Sequence, residues 1–183
     1  MSNVVTFEYL GAEQRRRPRW LPAVGGVLAA VAVVVVAFLW WSDTVRQSAT
    51  DELAQVFADA QARAASGERQ VQGTLAYASP LIWSAEAPED VRAGLRDVVE
   101  ASAADVAAEL SVLRERAAAA TILPWHREQQ VAQSELVDLV AAQQARFEGI
   151  AADITDIDVV LAGGPLPTGG VAEALRSAGA DPR

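Results

Sequence analysis

The 183-residue chain has room for about one globular domain plus short appendages, and its lack of cysteine excludes disulfides, thiolate nucleophiles and cysteine-ligated zinc. All 15 basic residues are arginine, set against 24 acids for a net charge of −9. The acidic excess falls after residue 41, where 11 arginines face 22 acids, a balance that repels nucleic acid and anionic lipid.

Residues 1–19 form a short basic tail, in which Arg15, Arg16, Arg17 and Arg19 outweigh Glu8 and Glu13. From Trp20 to Trp41 no residue is charged. As a helix this stretch would extend about 33 Å, against a hydrocarbon core of roughly 30 Å, so a transmembrane helix is predicted over 20–41. Trp20 marks one rim and Trp40 with Trp41 the other, where indoles favour the headgroup region. Pro22 falls in the first turn, where its missing N–H is harmless.

Orientation follows from the four arginines before the span. Only Arg46 lies close after it, accompanied by Asp43, Asp51 and Glu52, so the positive-inside rule puts the N-terminus in the cytoplasm and the C-terminal part outside. The competing reading is a cleaved export signal, hinted at by Arg16-Arg17. The apolar run exceeds the usual ~7–15 residues of such a signal, and nothing like Ala-x-Ala follows Trp41. Gly25, Gly26, Ala29, Ala30 and Ala32 give the span a small-residue face that another helix could approach, although such composition is also ordinary in membrane helices.

Prolines and glycines divide the remainder into three long segments, predicted as helices over 42–78, 88–120 and 124–156, and a Gly/Pro-rich flexible tail over 157–183. Apolar residues recur at spacings of three and four. The first segment has Leu53, Phe57, Ala60, Ala64, Gly67, Val71, Leu75 and Ala78, and the second Val91, Leu95, Val98, Val106, Leu110, Leu113 and Ala117. The third has Ala132, Leu136, Leu139, Phe147, Ile150, Ile154, Ile157 and Leu161, and Ser102 and Gln143 are polar interruptions.

The predicted fold class is all-α: one transmembrane helix continuing into an antiparallel three-helix bundle or coiled coil over 42–156 outside the membrane. Aromatics make up only 6% of the chain, consistent with a core of Ala, Val and Leu. Ser66-Gly67 is the expected weak point or kink of the first helix. Alternation at Val71, Gly73, Leu75 and Tyr77 leaves an extended segment as the alternative there. Val171 to Ser177 reads either as a brief helical turn or as disordered chain.

An up-down-up order places Tyr77, Ile82 and Trp83 at the far tip and Trp125, His126 and Arg127 close to the membrane. Either cluster could contact a partner, and either could simply close an end of the bundle. His126 is the only histidine, which removes paired-histidine metal sites, HExxH and most Ser-His or Cys-His catalytic sets. Asp97 with Glu100, and Asp153 with Asp156, lack the spacing of a calcium loop, and Gly163 to Gly170 lacks the Lys-Ser/Thr of a phosphate loop. No catalytic, cofactor or metal site is therefore expected, and the chain does not read as an enzyme.

The arginine-only, alanine-rich composition, the layout of basic tail, Val/Ala anchor and helical region, and the motif Leu123-Pro124-Trp125-His126-Arg127 together resemble single-pass envelope proteins of high-GC Gram-positive bacteria, over roughly residues 15 to 155. The resemblance implies a helical extracytoplasmic domain and brings no activity with it. The expected function is a membrane-anchored scaffold or accessory subunit, with the lipid bilayer and another envelope or membrane protein, or a second copy, as partners. The alternative is an ectodomain that senses a ligand or envelope condition and acts through a partner membrane protein.

Overall fold

The structure, a computed structural model, describes residues 21–82, 88–152 and 166–180, with side chains described over 28–76, 88–152 and 166–180. Every element among these residues is helical: α1 (Leu21–Ile82), α2 (Glu89–Ala119), α3 (Arg127–Ala152) and α4 (Gly169–Ser177). α1 crosses the boundary between two compact units, Met1–Trp41 and Ser42–Arg183.

In the first unit, α1 is built from Val, Ala and Leu with no charged side chain. Its valines are β-branched and only moderate helix formers in water. Side chains along this stretch are largely exposed: Leu28, Val33 and Val36 are 65, 69 and 66% exposed. A buried core helix would cover such residues, because burying a Val or Leu gains ~1.5–3 kcal/mol. By length and composition this is one helix able to cross a membrane, its most apolar window averaging a hydropathy of 2.0 with 6% of it buried. The same properties fit a signal sequence near the N-terminus.

In the second unit, α1 meets α2 with sequence order reversed. Glu52 and Asp59 of α1 pair with Arg116, Arg63 pairs with Glu109 at 2.6 Å, and Gly67 lies against Val106. α1 and α3 meet in the same order, Thr50 with Gln129 and Glu68 with Arg146 at 2.9 Å. The core lies among these helices: Leu53, Val56, Phe57, Ala60, Val71 and Leu75 of α1, Val99, Ala103, Val106 and Leu110 of α2, and Ala132, Leu136, Val140, Phe147 and Ile150 of α3 are buried. Bonding to Glu52 and attraction from the two acids raise the Arg116 guanidinium above its ordinary value, against the opposing effect of desolvation.

In α1 the leading, helical reading holds. The helix is continuous through Ser66-Gly67, and residues 71–77 are helical rather than extended. Gly67 is instead a site of close approach, where an added Cβ would stand 2.7 and 2.9 Å from the Val106 methyls. Val71 and Leu75, four residues apart, are buried while Gln72 and Gly73 are exposed, the signature of a helix face.

The register of α2 also differs from its predicted stripe. Val99 is fully buried, whereas Val98 and Val91 are 56 and 41% exposed. Buried Val99, Ala103, Val106, Leu110 and Ala117 keep helical spacing, and this line admits Val99 rather than its neighbour. Glu89 and Asp90 occupy the first turn and Arg116 the last, each complementing the helix dipole. Gln133 Nε2 donates to the α2 end, 2.8 Å from Ala117 O and 3.1 Å from Ala120 O, where helical carbonyls lack intrahelical donors.

α3 starts at Arg127, three residues later than Pro124. His126 N donates to Leu123 O at 2.9 Å, closing a turn with Pro124 at the position where its fixed φ fits best. The predicted stretch 153–156 and the stripe positions Ile154, Ile157 and Leu161 lie outside the described residues.

In the tail, the helical reading of Val171 to Ser177 holds, while residues 169–180 are packed rather than flexible. Residues 169–177 form α4, which buries Val171, Leu175 and Ala178 in the same core cluster as α1, α2 and α3. Gly179 ends it at φ +97°, with Gly179 N donating to Arg176 O and Ala180 N to Leu175 O. This pair of bonds is the Schellman arrangement, and the left-handed residue it needs is glycine.

Candidate functional site

The predicted membrane-interface residues Arg15, Arg16, Arg17, Arg19 and Trp20 lie outside the described residues, as does Trp83. Tyr77 and Ile82 lie on the α1 backbone, with side chains outside the described set. Trp40 and Trp41 stand on the apolar part of α1, 74 and 48% exposed, with the Trp41 ring centroid 6.0 Å from that of Phe38. The remaining predicted residues, Trp125, His126 and Arg127, come together at the turn leading into α3.

This turn is tied to the first residue after the apolar run. Trp125 Nε1 donates to Ser42 Oγ at 3.3 Å, and His126 Nε2 lies 3.5 Å from the same oxygen. The two rings meet edge-on with centroids 6.1 Å apart. A serine beside a histidine invites comparison with nucleophilic catalysis, which needs an acid or similar group orienting the far ring nitrogen. Here His126 Nδ1 is buried without a hydrogen-bond partner among the described residues, and the serine oxygen also receives the indole. The geometry is that of a clamp between α1 and the turn.

One helical turn deeper, a polar knot joins three helices. Gln129, 2% exposed, donates to Arg46 O at 2.7 Å and to Thr50 Oγ1, and the Thr50 hydroxyl donates to Arg46 O at 2.9 Å. Ala178 O at the end of α4 lies 3.5 Å from the same hydroxyl. Buried polar groups left unpaired are destabilising, so this network specifies how α1, α3 and α4 meet. Sequence reading missed Ser42, Arg46, Thr50 and Gln129. A usable signal was Gln129 on the apolar line of α3, three residues before Ala132.

Above the knot opens a cleft of about 240 Å³, lined by Arg46, Trp125, His126, Arg127, Glu128 and Gln129 together with Ala178. Trp125 is 53% exposed, and Arg46 and Arg127 are exposed. A second cavity of about 120 Å³ lies between α1 and α3, bordered by Gln61, Glu68, Gln143 and Phe147. Among the described residues no group of three or more His, Asp and Glu is placed to hold a metal ion. The chain matches no protein-family model, no curated protein and no solved structure, so the site is read from its own geometry.

Proposed function

We propose that the chain is a single-pass membrane protein with a cytoplasmic N-terminus, whose residues 42–152 form an antiparallel three-helix bundle outside the membrane with α4 packed on it. It acts without catalysis, as a scaffold or accessory subunit for another envelope or membrane protein. The observation that carries the reading is the uncharged run of α1, nearly all of whose described residues are exposed and which tryptophans border in the sequence. The reversed order of α1–α2 pairs and the parallel order of α1–α3 pairs support the bundle.

Support for a protein partner comes from α2. Val91, Val98 and Val112 lie on its outer side, seven and fourteen residues apart with Asp105 at the position between, and are 41, 56 and 62% exposed. Such a line on a soluble face is the form that helix partners recognise. Cross-linking in intact membranes tests this: a reproducible protein partner, lost when Val98 and Val112 become asparagine, is the expected result. Recovery of the chain alone would overturn it.

One observation favours the ligand-sensing alternative. Gln143, 7% exposed, borders the 120 Å³ cavity, and its Oε1 has no hydrogen-bond partner among the described residues. A small donor molecule there would satisfy that oxygen, and would raise the melting temperature with its concentration. A flat response across a screen of small polar ligands rejects this alternative.

A further inference from the structure

We propose that the cavity between α1 and α3 binds a small zwitterion of the size of glycine or alanine, held against the Glu68–Arg146 ion pair and the amide of Gln143. The assignment rests on the ligand-sensing reading, and the site lies wholly within the unit Ser42–Arg183.

Gln143 stands on the core face of α3. Leu136, Leu139 and Val140 precede it and Phe147 and Ile150 follow, all buried, and Gln143 itself is 7% exposed. Among the described residues its amide makes no hydrogen bond, and Oε1 is buried. Gln129, the other buried glutamine of α3, also has an unpartnered Oε1, but its Nε2 is tied to Arg46 O and Thr50 Oγ1. A buried amide with neither end bonded is destabilising, and leucine would fill the same position without that cost. The glutamine makes sense when something polar occupies the cavity it borders.

The cavity wall also carries one base and one acid. Arg146 Nη2 donates to Glu68 Oε1 at 2.9 Å, and each side chain is 21% exposed. The pair is neutral as a unit. A ligand with a single charge would enter these mostly covered surroundings without a net countercharge. A zwitterion lying head to tail against the pair avoids that penalty, its ammonium group facing Glu68 and its carboxylate facing Arg146. A carboxylate and a guanidinium each have more hydrogen-bonding sites than the bond that joins them uses. The Gln143 amide turns about its last torsion to present oxygen to the ammonium group or nitrogen to the carboxylate.

Volume sets the size of the ligand. The cavity holds about 120 Å³, well above the ~10–15 Å³ that one ordered water needs and below the ~150 Å³ of a cavity that admits benzene. A molecule of about five or six non-hydrogen atoms fits, which is the size of glycine or alanine. Ala64, Phe147 and Leu166 make the apolar part of the wall, suited to a methyl group. Leu166 and Thr168 belong to the residues that enter α4, so an occupied cavity ties that entry to α1 and α3.

The test is the melting of the full chain in detergent micelles, followed by differential scanning calorimetry. The probes are glycine and L-alanine and, separately, acetate, methylammonium and acetamide at the same concentrations. Small solutes in quantity also stabilise proteins by exclusion from their surface. Each shift is therefore taken relative to Gln143→Leu, which nearly keeps the side-chain volume and removes the amide. With glycine at about ten times its dissociation constant, the unsubstituted chain should gain about 3–6 °C more than Gln143→Leu. Acetate and methylammonium should give no such difference. Without ligand, Gln143→Leu should melt no lower than the unsubstituted chain. A clearly lower value would mean that the amide is already satisfied within the protein, and would overturn the site. Should that variant fail to fold, Thr168→Val, altered at a half-buried residue of the wall, takes its place in the comparison with glycine. A difference as large with acetamide or a single-charge probe as with glycine would overturn the zwitterion and keep the ligand-sensing reading. Equal shifts in both chains for every probe would leave only water in the cavity and overturn both.

Discussion

Gly67 and Gly73 lie on one helix, six residues apart, and the same substitution at each should act with opposite sign. Alanine improves on glycine inside a helix by about 1 kcal/mol. At Gly73 no described residue stands within 4 Å of the added methyl, so Gly73→Ala should stabilise by about that amount. At Gly67 the methyl would meet both Val106 methyls at 2.7 and 2.9 Å and the Phe147 ring at 3.2 Å. A valine is stiff at χ1 and cannot fold its methyls away as a long side chain would, so helices α1 and α2 must shift. Overpacking of this kind costs about 1–3 kcal/mol, which cancels or exceeds the helix gain. The two variants should therefore differ by about 1–3 kcal/mol, Gly73→Ala being the more stable. Denaturant titration of the full chain in detergent micelles, followed by far-UV circular dichroism, measures the difference. Adding Val106→Ala to Gly67→Ala should recover part of the loss relative to Val106→Ala alone. Equal stabilisation by both alanines would refute the close packing of α1 on α2.

Three other outcomes follow from the same packing. Leu175→Ala, at a fully buried position of α4, should lower stability by ~2–5 kcal/mol in the same titration, whereas a free tail would give no change. Gln129→Ala should cost ~1–3 kcal/mol by unpairing the knot at Arg46 and Thr50, and hydrogen exchange should quicken at the start of α3. Replacing Val98 by asparagine should change stability by less than about 0.5 kcal/mol, because the side chain is exposed; a large loss would return Val98 to the core.

Helical stripes were legible in α1 and α3 because alanine, leucine and valine recur there at three and four with polar residues between. α2 was harder: Val98 and Val99 are neighbours, and spacing alone favoured the outward one. Which valine turns inward depends on where α1 and α3 lie, through Gly67 against Val106 and Gln133 at the α2 end. In the tail the helical turn was one of two readings, and its packing on the core was missed for a different reason. Glycines and prolines around residues 163–170 signal a linker, and they hid Val171, Leu175 and Ala178 at helical spacing, followed by Gly179 as the stop signal.

At the candidate site, Leu123 to Arg127 was visible as a contiguous motif. Its counterparts Ser42, Arg46 and Thr50 were not, because Ser42 and His126 are 84 residues apart and only the fold brings them together. Nothing in local pattern distinguishes Arg46 from Arg69, the other exposed arginine described on α1.

The central claim is that the chain crosses the membrane once, between a cytoplasmic tail and an outer helical domain. Because the chain has no cysteine, single reporters can be placed by Ser2→Cys and, at an exposed position of α2, by Glu115→Cys. The measurement is labelling of intact cells with a membrane-impermeant maleimide. The account predicts that residue 115 labels directly while residue 2 labels only after permeabilisation. Labelling of both in intact cells, protection of residue 115, or release of the chain from membranes at alkaline pH would contradict it.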